Sequence, residues 1–119
     1  MESSIIFLPC RDLEETLKFY TEVVGMKLHH RDPAGAIWLD SNYGLLGFCQ
    51  YAPDRPMATG VCISYNVADI AAVDEQHRRL SALGFVQGIT EPCKHPRFGV
   101  YSFFFNDPNG YTLEYQKLV

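Results

Sequence analysis

Long apolar runs are missing from this 119-residue sequence, and the four residues ahead of the short apolar run near the N-terminus, Ile5 to Leu8, carry no basic side chain. A run of that length is far too short for a signal-peptide core or a membrane span, so a cytoplasmic protein without a membrane partner is expected. Basic charge is also scarce: 10 Lys and Arg stand against 14 Asp and Glu, a net charge of −4. A surface of that sign repels phosphate backbones, which argues against nucleic acid and leaves neutral or cationic small molecules as partners. The four cysteines, Cys10, Cys49, Cys62 and Cys93, have no C-x-x-C spacing. With no secretory signal they read as reduced, buried thiols, not as a disulfide framework. What is present is ordinary globular material, 47% apolar and 20% charged residues, which argues against both disorder and a membrane protein. A chain this long buries roughly two-thirds of its unfolded surface, enough for a real core.

The order of local patterns repeats once. Residues 5–10 read as a strand, ending where Asp12 can cap a helix and Glu15 can reach back in a capping-box arrangement. Leu13, Leu17, Tyr20 and Val24 then recur at helical spacing as one buried stripe, and Gly25 stops the helix. Strands are expected at 26–31, 36–40 and 45–51, with turn chemistry between them. After a linker the sentence is written again. A strand at 61–67 leads to Asp69 as cap and a stripe of Ile70, Val73, His77 and Leu80 ending at Leu83-Gly84. Strands at 85–90, 101–105 and 111–116 follow, with Asp107-Pro108-Asn109-Gly110 as the last turn. The expected organisation is one α+β domain made of a βαβββ module at 1–52, a linker at 53–60 and a second βαβββ module at 61–119. A plain ferredoxin-like or mixed α+β domain is the broader alternative, although the duplicated order is narrower than that pattern requires.

Several motifs carry a resemblance. Arg11-Asp12-Leu13, Phe19-Tyr20, Val24-Gly25-Met26, Val67-Ala68-Asp69-Ile70, Leu83-Gly84-Phe85 and the closing run Asp107-Pro108-Asn109-Gly110-Tyr111-Thr112-Leu113-Glu114 resemble the vicinal oxygen chelate superfamily, the glyoxalase/bleomycin resistance/dioxygenase family. The resemblance covers essentially the whole chain. It implies two βαβββ modules whose sheet forms a cup for a ligand. In metal-using members, four cup-facing side chains hold a divalent ion, and those positions fall here on Ile5, on Phe48 or Gln50, on Cys62 and on Glu114. Ile5 and Phe48 have no lone pair to donate, so at this position the chain departs from the family's metal-binding pattern, and neither a metal there nor a cofactor is expected. Of the four histidines, His29 and His30 are adjacent on a strand and are expected on opposite faces, His77 belongs to a helix stripe and His95 to a loop.

Strand alternation gives an independent view of the cup. If Cys62 faces it, Ser64 and Asn66 do too, while Ile63, Tyr65 and Val67 pack under the helix. Thr112, Glu114 and Gln116 share one face of the last strand, and Leu113 and Tyr115 the other. Phe7, Trp38, Phe48 and Phe103 or Phe104 are the aromatic lining expected, with Gln50, Cys62, Ser64, Asn66, Thr112 and Glu114 as polar contacts. Glu114 is the best candidate for a catalytic group, because a carboxylate among aromatics needs a partner. It can bind a cationic group, act as a general base or simply hydrogen-bond Ser64 or Thr112. His95 and Arg97 are candidates for a lid.

Two functions remain open at this point. The first is a metal-free protein resembling bleomycin-resistance proteins, which would bind a small hydrophobic or aromatic molecule, a cationic one among them. The second is a lyase, isomerase or dioxygenase resembling glyoxalase I with a degenerate or relocated metal site. A scaffold whose cup is filled by its own side chains is a third. A homodimer is expected, since open sheet edges invite pairing.

Overall fold

In the computed structural model, which describes residues 1–119, the chain divides into two units, Met1–Thr59 and Gly60–Val119. The first begins with β1 (Ile5–Pro9) and enters α1 (Leu13–Lys18), capped by Asp12, whose carboxylate accepts from the Glu15 N–H at 2.8 Å. The helix runs on as a π-helical segment, Phe19–Val24, and stops at Gly25, whose φ of 90° is left-handed. Strands β2 (Lys27–Asp32), β3 (Ala36–Asp40) and β4 (Leu45–Cys49) complete a four-stranded sheet of order β1-β4-β3-β2, with β1 parallel to β4 and the other pairs antiparallel. Ile37, Leu39 and Phe48 are fully buried beneath Leu13, Thr16, Phe19, Tyr20 and Val23. The stripe therefore departs from the expected Leu13, Leu17, Tyr20 and Val24. Leu17, still within α1, and Val24, at the end of the π-helical segment, are only half-buried.

The second unit repeats the order. Its β5 (Cys62–Asn66) leads to Asp69, which accepts from the Ala72 N–H at 2.8 Å and opens α2 (Ile70–Leu83). That helix ends at Gly84 with φ 79°. Val73 and Leu80 are fully buried, whereas Ile70 is 46% exposed, so the inward stripe is shorter than expected. Strands β6 (Cys93–Lys94), β7 (Val100–Asn106) and β8 (Thr112–Leu118) give the order β5-β8-β7-β6, with β5 parallel to β8. The strand expected at 85–90 does not form. Gly88, at φ 70°, turns the backbone out of the extended region and leaves one isolated bridge, Gln87 to Asn106, with the edge position taken later by the short β6.

The last turn is tightly bonded. Gly110 N–H donates to the Asp107 carbonyl at 3.1 Å, and the buried Asp107 carboxylate accepts from the N–H groups of Asn109 and Tyr111, each at 2.8 Å. Two four-stranded mixed sheets, each with its own helix, thus realise the expected α+β fold of two βαβββ modules. No helix is long and apolar enough to cross a membrane, a statement about helices alone.

Candidate ligand-binding faces

In the second unit α2 packs on β7 and β8, which divides the sheet into a helix side and an open side. Phe103, Phe105, Leu113 and Tyr115 lie on the helix side, nearly or fully buried, with His77 edge-on to Phe103 at 5.2 Å between ring centres. The open side takes the alternate residues. The β5–β8 register sets Cys62, Ser64 and Asn66 beside Thr112, Glu114 and Gln116, and the β7–β8 register adds Asn106, Phe104 and Ser102 in the same rows.

Glu114 is at the centre of that face and only 6% exposed. One carboxylate oxygen, Oε1, accepts the Ser64 hydroxyl at 2.6 Å, and the Cys62 thiol points at the same atom from 4.0 Å. Cys62 Sγ and Ser64 Oγ are 3.7 Å apart. One row away, Gln116 Nε2 donates to Asn66 Oδ1 at 3.0 Å. The bonds to Glu114 all fall on Oε1. Because no buried side-chain oxygen or nitrogen lacks a partner, Oε2 is the atom of this carboxylate that reaches the open face. The arrangement is a desolvated acceptor held in one orientation by a neutral donor, suited to a second donor or a cation.

The first unit presents an aromatic open face. Phe7 lies across Gly47, where an added Cβ would stand 2.3 Å from the ring, and meets Trp38 at 5.9 Å in an edge-to-face pair. His29 and His30 do not go to opposite faces. A β-bulge between Leu28 and His30 breaks the alternation, and both rings meet Trp38, His29 stacked at 6.2 Å and His30 edge-on at 5.4 Å.

Three of the expected lining residues are corrected by this geometry. Phe48 is fully buried against Tyr20, with ring centres 4.8 Å apart, and so belongs beneath the helix. Gln50 shares its parity, and its side-chain oxygen accepts the Leu13 N–H at the start of α1 at 2.9 Å. The open face of β4 instead carries Gly47 and Cys49, one residue out of step. Phe103 is likewise a core residue, and Phe104, its neighbour, is the aromatic beside Glu114. Nothing in the run Leu45-Leu46-Gly47-Phe48-Cys49 alternates between polar and apolar, so the sequence holds no cue to its parity. Of the thiols expected to be buried, only Cys10 is; Cys49 is half-buried, and Cys62 and Cys93 are exposed.

The donor set does not suit a divalent metal. Ile5 has no donor atom, Phe48 and Gln50 face the helix, and nowhere do three or more His, Cys, Asp or Glu side chains gather. His77 is 3.9 Å from Glu91, and His95 Nδ1 accepts from the N–H groups of Arg97 and Phe98 at 3.0 and 3.1 Å. His95 therefore staples its own loop, and Arg97 lies over the Phe98 ring at 5.2 Å.

The profile described as Glyoxalase/Bleomycin resistance protein/Dioxygenase superfamily matches residues 4–115. No curated protein sequence matches the chain. Among solved structures, a glyoxalase/bleomycin resistance protein/dioxygenase from Nocardioides is 21% identical with a TM-score of 0.80, covering 100% of this chain and 84% of that one. A lactoylglutathione lyase from Agrobacterium tumefaciens is 22% identical with a TM-score of 0.75, over 95% of this chain and 90% of that one. An antibiotic binding protein from Streptomyces sp. CB03234 is 22% identical with a TM-score of 0.78, over 100% of this chain and 97% of that one. At these identities the likeness establishes the fold, which an enzyme and a binding protein share equally.

Proposed function

The chain belongs to the glyoxalase/bleomycin resistance protein/dioxygenase superfamily, and from that premise we propose that it is a metal-free small-molecule-binding protein with Glu114 as its polar anchor. The observation that carries this reading is the Glu114 carboxylate, 6% exposed on the open side of the second sheet, with Oε1 bonded to Ser64 and Oε2 turned to the face. Burial strips water from a carboxylate, and a single hydroxyl replaces little of it, so a ligand bringing an N–H or a cation restores what hydration lost. Phe104, beside Glu114 in the sheet, supplies an apolar surface for the rest of such a ligand. Thr112 and Asn66 border the same face and offer further polar contacts. The ligand class is accordingly a hydrophobic or aromatic molecule with a cationic or strongly donating group. That an antibiotic binding protein shares this fold supports the reading.

Titration calorimetry with a panel of aromatic amines and quaternary ammonium compounds tests it. Glu114→Gln keeps the shape and removes the charge, so affinity for a cationic member should fall by about 1–3 kcal/mol while the denaturation midpoint stays or rises slightly. Two results overturn the proposal: a Glu114→Gln protein that is destabilised yet binds the cationic compounds as before, or elemental analysis of the purified protein showing about one Ni, Zn, Mn or Fe per chain that Glu114→Ala removes.

A further inference from the structure

A concave site lies wholly within the first unit, at the ends of β1 and β4 where the chain leaves the sheet. Its volume is about 380 Å³, and Cys10, Arg11, Gln50, Tyr51, Arg55 and Met57 contribute to its wall. That volume is at the small end of the range for small-molecule pockets. No acidic side chain lines it, whereas two guanidinium groups do, in a protein whose net charge is −4. Asp54 instead lines a neighbouring hollow that shares Arg55.

The donors are organised by the fold. The Gln50 amide oxygen accepts the Leu13 N–H at 2.9 Å, which fixes the orientation of the group and leaves its NH₂ as the donor. Arg55 lies over the Tyr51 ring, its central carbon 4.1 Å from the ring centre. The Ala52 carbonyl accepts the Arg55 N–H at 2.9 Å and closes the turn that brings the two side chains together. A guanidinium laid on an aromatic face keeps its planar edge available for bidentate bonding to a carboxylate. Met57, Pro9 and Pro53 supply apolar wall between the charged groups.

We infer that this cleft binds a small organic carboxylate, its anionic end between Arg11, Arg55 and the Gln50 amide and its apolar body against Tyr51 and Met57. The site involves no residue of the second sheet, so it stands independently of the proposal for Glu114. The deciding experiment is titration calorimetry of the full chain at low salt with benzoate and, separately, with inorganic phosphate. Saturable benzoate binding that Arg55→Gln or Arg11→Gln weakens by at least about tenfold, and that Glu114→Gln leaves unchanged, is the expected result. Circular dichroism melts establish that each variant is folded. Should Arg55→Gln fail that check, Arg55→Lys keeps the charge, loses the planar fork and is expected to show the same weakening. Absence of saturable benzoate binding, binding of phosphate alone, or loss of benzoate binding in Glu114→Gln with Arg55→Gln intact would each overturn the assignment.

Discussion

Tyr65 on β5 tilts against Tyr115 with ring centres 5.7 Å apart, and burial pushes its hydroxyl far above the ordinary tyrosine value of 10.0, with Tyr115 and Asp107 adding to the shift. Burial raises Tyr115 as well, while Arg79 works against the shift there. A raised phenol holds its proton in the folded protein at a pH where the unfolded chain has already released it, so the native state binds more protons and stability falls as pH climbs past the unfolded value. The contribution of these tyrosines should therefore be constant below about pH 9 and decline as pH rises above it, through about pH 11 and beyond. Urea denaturation midpoints across that range measure the slope. Tyr65→Phe should flatten it, leaving what the raised hydroxyls of Tyr115, Tyr101 and Tyr51 contribute; an unchanged slope would mean that the Tyr65 hydroxyl meets solvent. The inward direction of Tyr65 was readable because its strand alternates cleanly, with Cys62, Ser64 and Asn66 polar and Ile63 and Tyr65 between them. His29 and His30 were not readable, since a bulge inserts a residue without any mark in the local composition.

Elements whose boundaries depend on local chemistry follow the sequence closely. Asp12 and Asp69 both cap, because an oxygen acceptor three residues ahead of an unpaired helix N–H is a local arrangement. Asp107-Pro108-Asn109-Gly110 forms its turn for the same reason. Asp107 is 5% exposed and accepts two backbone N–H bonds there, so Asp107→Ala leaves buried donors unsatisfied and should cost about 2 kcal/mol or more by equilibrium denaturation. Asp107→Asn retains one acceptor oxygen and should lose less, and equal losses would show that the bonds do not set the turn. Where an element depends on its partners, the sequence is mute. The run Phe103-Phe104-Phe105 is apolar on both faces, and only pairing with Tyr115, Glu114 and Leu113 decides which ring faces the helix. The same holds for Leu45–Cys49, whose parity is set by pairing with β1 and β3. The π-helical segment Phe19–Val24 carries no composition cue either, being an outcome of packing.

At the scale of the whole molecule, the duplication was legible because two copies of one pattern corroborate each other, and each unit does contain its own sheet and helix. Each sheet is open and leaves two edge strands, β1 and β2 in the first unit and β5 and β6 in the second. Unpaired edges offer rows of free backbone donors and acceptors, which a second copy of the chain satisfies at little cost because the same surface is present on both. Exposed apolar side chains accompany them: Ile6 on β1 is 70% exposed and Leu28 on β2 is 44% exposed. Lys27 and Arg31 on β2 place charge on that edge, which discourages indiscriminate pairing there and leaves β1, free of charge along Ile5–Pro9, as the edge better suited to association. Sedimentation equilibrium should accordingly give twice the 13.5 kDa chain mass at high concentration. Ile6→Lys puts a charge on the β1 edge without touching a buried residue, so it should shift the mass toward the monomer while leaving the thermal melt of the dilute protein unchanged. A monomer mass at every concentration would refute the dimer, and a dimer indifferent to Ile6→Lys would move the contact to another edge.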